Sequence, residues 1–133
     1  MKAAVSALLG FLVLVPGWSS TGSLTTARYD HVMCTLPDGK VLLATGATHM
    51  IKGGRLTGTV TKACEVYNPS TGTWSSGGSL KTSRTGATAT LLASGKVLVA
   101  GGFVNGTTTG CELYNPATKT SVATGSMVGS RGL

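Results

Sequence analysis

Residues 18–28 read Trp18-Ser-Ser-Thr-Gly-Ser-Leu-Thr-Thr-Ala-Arg28, and residues 74–84 read Trp74-Ser-Ser-Gly-Gly-Ser-Leu-Lys-Thr-Ser-Arg84. The two stretches are identical at 8 of 11 positions and lie 56 residues apart. At the same spacing, Leu36-Pro-Asp-Gly-Lys-Val-Leu-Leu-Ala-Thr-Gly46 matches Leu92-Ala-Ser-Gly-Lys-Val-Leu-Val-Ala-Gly-Gly102. Matching blocks in one order and at one spacing indicate an internal repeat, and the repeat decides the fold.

The repeat continues towards the C-terminus at a shorter spacing. Cys64-Glu-Val-Tyr-Asn-Pro69 matches Cys111-Glu-Leu-Tyr-Asn-Pro116 at a spacing of 47 residues. A third copy begins at Gly125-Ser-Met-Val-Gly-Ser-Arg131, again 47 residues after its match. The change of spacing from 56 to 47 places a nine-residue insertion within residues 47–63 of the first copy.

Each matching block predicts a short strand with its turn. The runs 40–44 and 96–100 have apolar residues on both faces, which is typical of a strand covered on both sides. Residue pairs that favour tight turns separate the strands, namely Asp38-Gly39, Ser94-Gly95, Asn68-Pro69 and Asn115-Pro116. Four short strands in a repeat of about 50 residues predict an all-β protein built from antiparallel four-stranded units.

This combination of motifs resembles the kelch-repeat β-propeller family. The kelch pattern has an Arg before the innermost strand of a blade, a diglycine after the second strand, a Tyr in the third and a Trp in the fourth. The residues that match it are Trp18, Arg28, Gly46, Tyr67, Trp74, Arg84, Gly101, Gly102, Tyr114 and Arg131. Two positions depart from the pattern, since Thr45 replaces the first glycine of one diglycine and Ser121 lies where a Trp is expected.

The resemblance implies a partial kelch-type propeller with two blades and flanking strand pieces. Residues 18–27 are expected to be a fourth-strand piece, 28–83 the first blade, 84–130 the second and 131–133 the start of a third repeat. Two blades would leave broad apolar faces and a strand edge exposed. We therefore favour a longer protein, and the alternative is a homotrimer whose three copies make six blades.

The N-terminus has the composition of a secretory signal. Lys2 precedes an apolar run over residues 3–15, and Pro16, Gly17 and a stretch rich in Ser, Thr and Gly follow. The run is shorter than the roughly 20 apolar residues that span a bilayer. We predict a signal peptide over residues 1–17, an extracytoplasmic location and no membrane span. The alternative is that this run is an apolar first strand of the domain.

The basic residues do not form a nucleic-acid-binding pattern. The chain has 11 basic and 4 acidic residues, and its net charge is +7. A basic excess is common in proteins that bind nucleic acid. Here, however, the basic residues are scattered singly, and several, such as Arg28 and Arg84, recur at equivalent repeat positions. We therefore predict no nucleic-acid partner.

The three cysteines do not suggest a disulfide framework or a zinc site. Cys64 and Cys111 occupy equivalent repeat positions, and neighbouring units should hold them beyond the Cα separation of about 7 Å that a disulfide tolerates. Both are predicted to be small, buried, apolar residues. Cys34 has no evident mate, and no Cys/His spacing is typical of zinc.

The insertion over residues 47–63 is the most individual part of the chain and the candidate binding segment. It carries His49, Lys52, Arg55 and Lys62 among Gly and Thr residues. Loops that a rigid scaffold supports often bind ligands, and this charge favours an acidic or carboxylate-bearing partner. The alternative is a solvated flexible loop whose charge has no role.

Three further residues are interpreted as scaffold. Glu65 and Glu112 occupy equivalent positions, so repetition explains them better than acid–base catalysis does. We expect both to accept structural hydrogen bonds, with a repeat arginine as a candidate donor. His31 follows Arg28 by three residues, where kelch repeats commonly have a histidine, and Ala87 replaces it in the second copy.

Some kelch propellers are copper enzymes of the galactose-oxidase type. That resemblance would imply a cross-linked Cys–Tyr pair, two His ligands and a second Tyr. The chain offers His31, His49 and Cys34, but Thr85 follows Arg84 where the cross-linking Tyr would be expected. We therefore predict that these repeats are not an enzyme and hold no metal or other cofactor.

The resemblance implies a non-catalytic, secreted or surface module that binds a protein or glycan through propeller loops. Two alternatives remain, namely a fragment of a galactose-oxidase-like copper-radical oxidase and a structural repeat protein of a cell surface or matrix. Asn105-Gly106-Thr107 is an N-glycosylation sequon in a predicted loop, which makes Asn105 a candidate for glycosylation in a eukaryotic secretory pathway.

Overall fold

The chain folds into β-strands joined by turns and short loops. The computed structural model describes residues 17–52 and 55–131, with the side chains of residues 49–57 left out. The expected signal peptide up to residue 16 and the last two residues of the expected third repeat lie outside the described residues. The described part contains no helix, which confirms the all-β prediction.

Ten strands follow one another in the described part of the chain. They are β1 Val32–Thr35, β2 Val41–Ala44, β3 Ala47–Lys52, β4 Arg55–Val60, β5 Ala63–Asn68, β6 Thr73–Ser79, β7 Thr88–Leu91, β8 Val97–Ala100, β9 Cys111–Asn115 and β10 Thr120–Thr124. The strands predicted at 40–44 and 96–100 are confirmed as β2 and β8, each beginning one residue later than expected.

The strands form two equivalent antiparallel sheets and a separate hairpin. The first sheet has the order β1-β2-β5-β6 and the second the order β7-β8-β9-β10, whereas β3 and β4 form a two-stranded sheet of their own. The register also repeats, because Val41 pairs with Tyr67 in the first sheet and Val97 pairs with Tyr114 in the second. The predicted antiparallel four-stranded units are therefore confirmed.

The insertion forms an ordered backbone element. Residues 47–60 make a two-stranded antiparallel hairpin, with Ala47 paired to Val60 at its base and Lys52 paired to Arg55 at its far end. The segment therefore has a regular backbone, and both the binding role and the alternative of a solvated loop whose charge has no role stay predictions. Its Thr, Ile and Val residues favour a strand, and the glycines at 53, 54 and 58 obscured this signal.

The core lies between the two sheets. Leu42 and Val66 of the first sheet belong to one buried cluster with Val97 and Val99 of the second. Such side chains each contribute about 1.5–3 kcal/mol of burial free energy. Tyr114 is fully buried in the same cluster, and its hydroxyl donates to the Gly77 carbonyl across the sheets at 2.8 Å.

The cysteines take the places that their repeat positions predicted. Cys64 and Cys111 are buried, and burial raises the pKa of the Cys64 thiol to about 12. None of the three cysteines, all of which lie in the described part, forms a disulfide. Cys64 belongs to the buried cluster between the sheets, so its role as a small apolar core residue is confirmed.

A buried Arg–Glu pair recurs in each sheet. The Arg84 guanidinium donates to Glu112 at 2.8 Å and to the carbonyls of Gly101 and Gly110 at 2.9 and 2.8 Å. Both charged side chains of this pair are nearly inaccessible to solvent. The expectation that the repeat glutamates accept structural hydrogen bonds from a repeat arginine is confirmed.

The first sheet contains the same arrangement. The Arg28 guanidinium donates to Glu65 at 2.8 Å and to the carbonyls of Thr45 and Ala63 at 3.2 and 2.8 Å. Each arginine thus connects the end of the second strand of its sheet to the start of the third. The hairpin leaves the sheet between these two points, so the insertion does not disturb the pair.

The surroundings of Glu112 favour its ionised form. Burial on its own raises the pKa of this carboxyl group, whereas hydrogen bonds from the Lys81 and Thr82 N–H groups and the Ser121 hydroxyl, together with the charge of Arg84, lower it. The net pKa lies below the usual range of a glutamate. Glu65 behaves in the same way, with the Thr25 N–H as a donor.

The N-terminal segment of residues 18–27 does not form the strand that was expected. No strand is assigned to these residues, and Trp18 is fully exposed instead of packed like Trp74. The segment nevertheless contacts the first sheet in the same way that β6, the last strand of the first sheet, contacts the second sheet. Thr21 contacts the Tyr67 hydroxyl at 2.5 Å, at the position where Gly77 accepts from Tyr114. Without a neighbouring strand to pair with, the segment keeps these contacts but not a strand geometry.

Thr45 has a strained backbone for its residue type. Its φ is 64°, close to the 69° of its equivalent Gly101. A β-branched residue rarely adopts this left-handed conformation. Thr45 is also fully buried, and its hydroxyl has no hydrogen-bond partner in the described part of the chain. Thr45, in place of the glycine of the diglycine pattern, therefore destabilises the fold in two ways, through its strained backbone and through its buried, unpaired hydroxyl group.

Removing the charge of Glu112 should destabilise the fold strongly. Glu112→Gln leaves the Arg84 guanidinium buried without its counter-charge, and breaking such a pair costs about 3–5 kcal/mol. Urea unfolding followed by tryptophan fluorescence measures this change. The matched control is Asp38→Asn, which removes an exposed pair with Lys40 and should leave the free energy of unfolding nearly unchanged. Equal stability of the two variants would contradict this role of the buried pair.

The same glutamates should make the fold sensitive to acid. Because their folded-state pKa values lie below that of an unfolded glutamate, about 4.3, their contribution is present above that pH and is lost as the pH falls through the folded pKa. We expect the free energy of unfolding to decrease below about pH 4. In Glu112→Gln this decrease should be smaller, and an unchanged pH slope would argue against the assignment.

Replacing Thr45 by glycine should stabilise the chain. The substitution relieves the positive φ of a β-branched residue and removes a buried, unpaired hydroxyl, effects worth about 1–3 kcal/mol together. The comparison is Gly102→Ala, whose Cβ would lie 2.7 Å from the Thr85 carbonyl oxygen and should be destabilising. Thermal unfolding of both variants tests the argument, which fails if Thr45→Gly lowers the Tm.

Candidate binding site

A pocket of about 350 Å³ opens between the two sheets, just before β1 and β7 begin. We call it the inter-sheet pocket. Asp30 and His31 line it from the first sheet, and Thr85, Gly86, Ala87 and Phe103 line it from the second. Its volume is at the lower end of the range of about 300–1,000 Å³ that small-molecule sites occupy.

Backbone hydrogen bonds between the sheets fix the walls of the inter-sheet pocket. The Asp30 carbonyl accepts from the Gly86 N–H at 3.1 Å and from the Thr85 hydroxyl at 3.4 Å. Thr85 and Phe103 exchange two backbone hydrogen bonds, of 3.2 and 2.8 Å. The pocket is therefore formed by main chain that is already constrained, which favours binding without a large ordering cost.

Two polar side chains of the pocket have unused hydrogen-bonding capacity. The Nδ1 atom of His31 is buried and has no partner within the described residues. All four acidic residues are described, and three of them accept hydrogen bonds from a nearby cation, whereas the Asp30 carboxylate has no such partner there. Buried polar groups are normally satisfied, so the unpaired Nδ1 of His31 beside a pocket marks a place where a ligand can bond, whereas Asp30 is exposed and its carboxylate is open to solvent.

Comparison of the two repeats shows that these side chains are not needed for the fold. Residues 29–31 are Tyr-Asp-His in the first copy, and the equivalent residues 85–87 are Thr-Gly-Ala in the second. The backbone is the same in both, since φ is 51° at Asp30 and 60° at Gly86. The second copy meets this left-handed requirement with a glycine. The first copy has Asp30 at this left-handed position, where aspartate is less favourable than glycine, and it has the imidazole of His31 at the next position.

The hairpin of the insertion begins at the edge of the inter-sheet pocket. Ala47, its first residue, exchanges backbone hydrogen bonds of 3.0 and 2.9 Å with Tyr29, which precedes Asp30. The Thr61 N–H donates to the Gly46 carbonyl at 2.9 Å and closes the base of the hairpin. The pocket and the hairpin thus form one continuous surface on this side of the sheets.

The basic residues predicted as a binding set are only partly brought together. Lys52 and Arg55 are backbone partners at the far end of the hairpin, about 17 Å from its base at the usual rise per residue. His49 pairs with Gly58 three positions closer to the base. The side chains of these three residues lie outside the described part. Lys62 is exposed but follows the hairpin, with its carbonyl accepting from the Leu80 N–H at 2.9 Å.

Two other grooves are less suited to binding a ligand. One of about 370 Å³ lies at the opposite end of the strands, among turns that include Asp38, Lys40 and Pro116. Asp38 and Lys40 already pair with each other, and Lys119 of the same groove donates to the Ser76 carbonyl. Another of about 290 Å³ lies beside Arg28 and Glu65, whose hydrogen-bonding groups hold the fold together. Of these three sites, the inter-sheet pocket is the one whose walls hold a carboxylate and an imidazole atom without a partner among the described residues.

Most residues of this site were not predicted from their sequence pattern. Asp30, Gly86 and Phe103 were not predicted as site residues, Thr85 was noted only because it lies where a cross-linking Tyr would be expected, and His31 was interpreted as scaffold although it lines the pocket. The signal that could have found them is the difference between the copies at residues 29–31 and 85–87, combined with their proximity across the sheets. Asn105 lies in an exposed bend two residues beyond Phe103, where its side chain is accessible.

Two features that would point to other kinds of function are a metal centre and a membrane-spanning helix. The described residues contain no group of three or more His, Cys, Asp or Glu side chains that could bind a metal ion. Within the same residues, no helix has the length and apolar character to cross a membrane.

The chain is similar to proteins of known structure in its fold alone. No protein-family model and no curated protein sequence matches it. Among solved structures, that of the protein YjhT superposes with a TM-score of 0.69 at 14% sequence identity. The match covers 84% of this chain and 42% of that one, so this chain spans less than half the length of the solved protein. At such low identity the match supports the arrangement of the sheets and does not assign a ligand.

Proposed function

We propose that this chain is part of a secreted, non-catalytic, kelch-type β-propeller that binds an extracellular protein or glycan through its loops. In this proposal the two equivalent sheets are neighbouring blades of a longer protein. The observation that carries it is the surface formed by the inter-sheet pocket and the hairpin. The hairpin is present only in the first repeat, and the pocket lies between the two repeats, where Asp30 and His31 of the first repeat replace the Gly86 and Ala87 of the second.

The structure of the repeats supports this separation of scaffold and binding surface. The Arg28–Glu65 pair holds the carbonyls of Thr45 and Ala63 on either side of the hairpin, as Arg84 holds those of Gly101 and Gly110. A loop anchored at both ends can vary in length and sequence without loss of the sheet. Binding residues are commonly found on such loops.

The hairpin should contribute to binding in solution. The chain is tested against a glycan array and against purified extracellular matrix proteins, and then compared with a variant in which the hairpin is shortened to the length of the loop at residues 101–110. We expect any ligand bound by the natural chain to bind at least tenfold more weakly to the variant, and Lys52→Ala/Arg55→Ala to weaken an acidic ligand most at low salt.

The control for the hairpin variants is Lys96→Ala/Lys119→Ala, which removes two basic residues from the opposite end of the strands. It should leave binding unchanged. Equal binding by the natural chain and the shortened variant would exclude the hairpin from the binding surface. Failure of every glycan and matrix protein to bind would contradict the proposed function as a whole.

Secretion gives a separate prediction. If residues 1–17 are a signal peptide, the chain expressed with its own N-terminus should be exported and should begin at Trp18 after cleavage. Intact-mass spectrometry of the exported protein measures this directly. Replacing the apolar residues Leu12 and Leu14 by Asp should retain the chain in the cell, whereas an uncleaved, unexported natural chain would contradict the prediction.

A further inference from the structure

We propose that the inter-sheet pocket binds a single neutral sugar ring, with Asp30 accepting hydrogen bonds from its hydroxyl groups and Phe103 contacting its apolar face. This inference rests on the proposed function and narrows the ligand of the same surface to a glycan. The observation that supports it is that side chains lining the inter-sheet pocket differ from the equivalent side chains of the other repeat.

The polar groups of the pocket suit hydroxyl groups. A carboxylate accepts two hydrogen bonds, and adjacent hydroxyls of a sugar ring can donate both. The Nδ1 atom of His31 and the hydroxyl of Thr85 are further partners that can complement a sugar hydroxyl. Desolvation of these groups is then compensated by bonds to the ligand.

The second wall of the pocket provides the apolar contact. Phe103 is half-buried and replaces Ala47, the equivalent residue of the first repeat. Each of the two residues makes the same antiparallel bridge, Tyr29 to Ala47 and Thr85 to Phe103, so the bridge does not require an aromatic ring. The negative face of an aromatic ring attracts the polarised C–H groups of a sugar ring. Asp30, His31 and Phe103 thus line one space of about 350 Å³.

The charges of the chain favour a neutral ligand over a charged one. The Asp30 carboxylate repels a carboxylate or phosphate group at close range. A cationic ligand would be repelled at longer range by the net charge of +7. A neutral sugar ring encounters neither effect.

The repeat itself provides variants that keep the fold. Asp30→Gly, His31→Ala and Phe103→Ala each install the residue that the other copy has at the equivalent position. Asp30→Gly also suits the φ of 51° better than aspartate does, so its Tm should be equal to or above that of the natural chain. Loss of binding in these variants therefore reports on the pocket and not on unfolding.

Saturation-transfer NMR and calorimetry with the methyl glycosides of glucose, galactose, mannose and N-acetylglucosamine test the proposal on the full chain. We expect at least one glycoside to bind, and Asp30→Gly and Phe103→Ala each to weaken it at least tenfold. Asp38→Asn, which removes a carboxylate at the opposite end of the strands, should have no effect. Binding of methyl glucuronide or of a lysine peptide in preference to the neutral glycosides would overturn the proposal.

The outcomes separate this inference from the proposed function. If no glycoside binds at millimolar concentration, or if binding is unchanged in Asp30→Gly and Phe103→Ala, the sugar site is excluded. Should an extracellular ligand still be lost when the hairpin is shortened, the proposed function stands and only the sugar site fails. Conversely, glycoside binding that depends on Asp30 supports the sugar site even if the shortened hairpin leaves it intact.

Discussion

The buried Arg–Glu pair is the interaction on which the rest of the structure depends. Its arginine precedes the first strand of each sheet, and its glutamate lies in the third, so the pair connects parts that are 37 residues apart in the first copy and 28 in the second. The glutamate also accepts from N–H groups of the segment that leads into the sheet, Thr25 in one copy and Lys81 in the other. Each pair therefore fixes the connection between successive repeats as well as the sheet itself. Each of these guanidinium groups bonds one carboxylate and two main-chain carbonyls, so the pair fixes the geometry of these connections.

This arrangement explains how one repeat can carry an insertion and the other not. The guanidinium contacts the chain only where it leaves the second strand and where it enters the third. The nine additional residues lie between these points, and they form a hairpin with its own backbone hydrogen bonds. Variation is thereby confined to one end of the strands, where the inter-sheet pocket also opens. The turns at the opposite end are almost identical in the two copies, with Leu36 to Lys40 and Leu92 to Lys96 closed by equivalent hydrogen bonds.

The sequence predicted the features that repeat, because two copies of a pattern distinguish structural requirements from chance. The strands, the turns and the glutamates as hydrogen-bond acceptors are of this kind. The hairpin was not predicted, since a segment present once and rich in glycine offers no second copy for comparison. The pocket was missed for a different reason: Asp30 and Phe103 lie far apart in the sequence and meet only when the two sheets pack. Copy-to-copy differences at residues 29–31 were visible beforehand, but their meaning requires knowing that the backbone there is the same in both copies.

The same equivalence bears on how the proposed propeller would be completed. The Arg131 carbonyl accepts from the Gly102 N–H at 2.8 Å, as the Arg84 carbonyl accepts from the Gly46 N–H at 3.0 Å. Its guanidinium, however, contacts only the Ser130 carbonyl among the described residues. A glutamate from a following repeat would complete this arginine in the manner of Arg84. A second copy of the chain could supply Glu65 only if its own Arg28 and Thr25 first released that carboxylate. Glu65 is therefore already satisfied within its own repeat, whereas Arg131 has no carboxylate partner among the described residues.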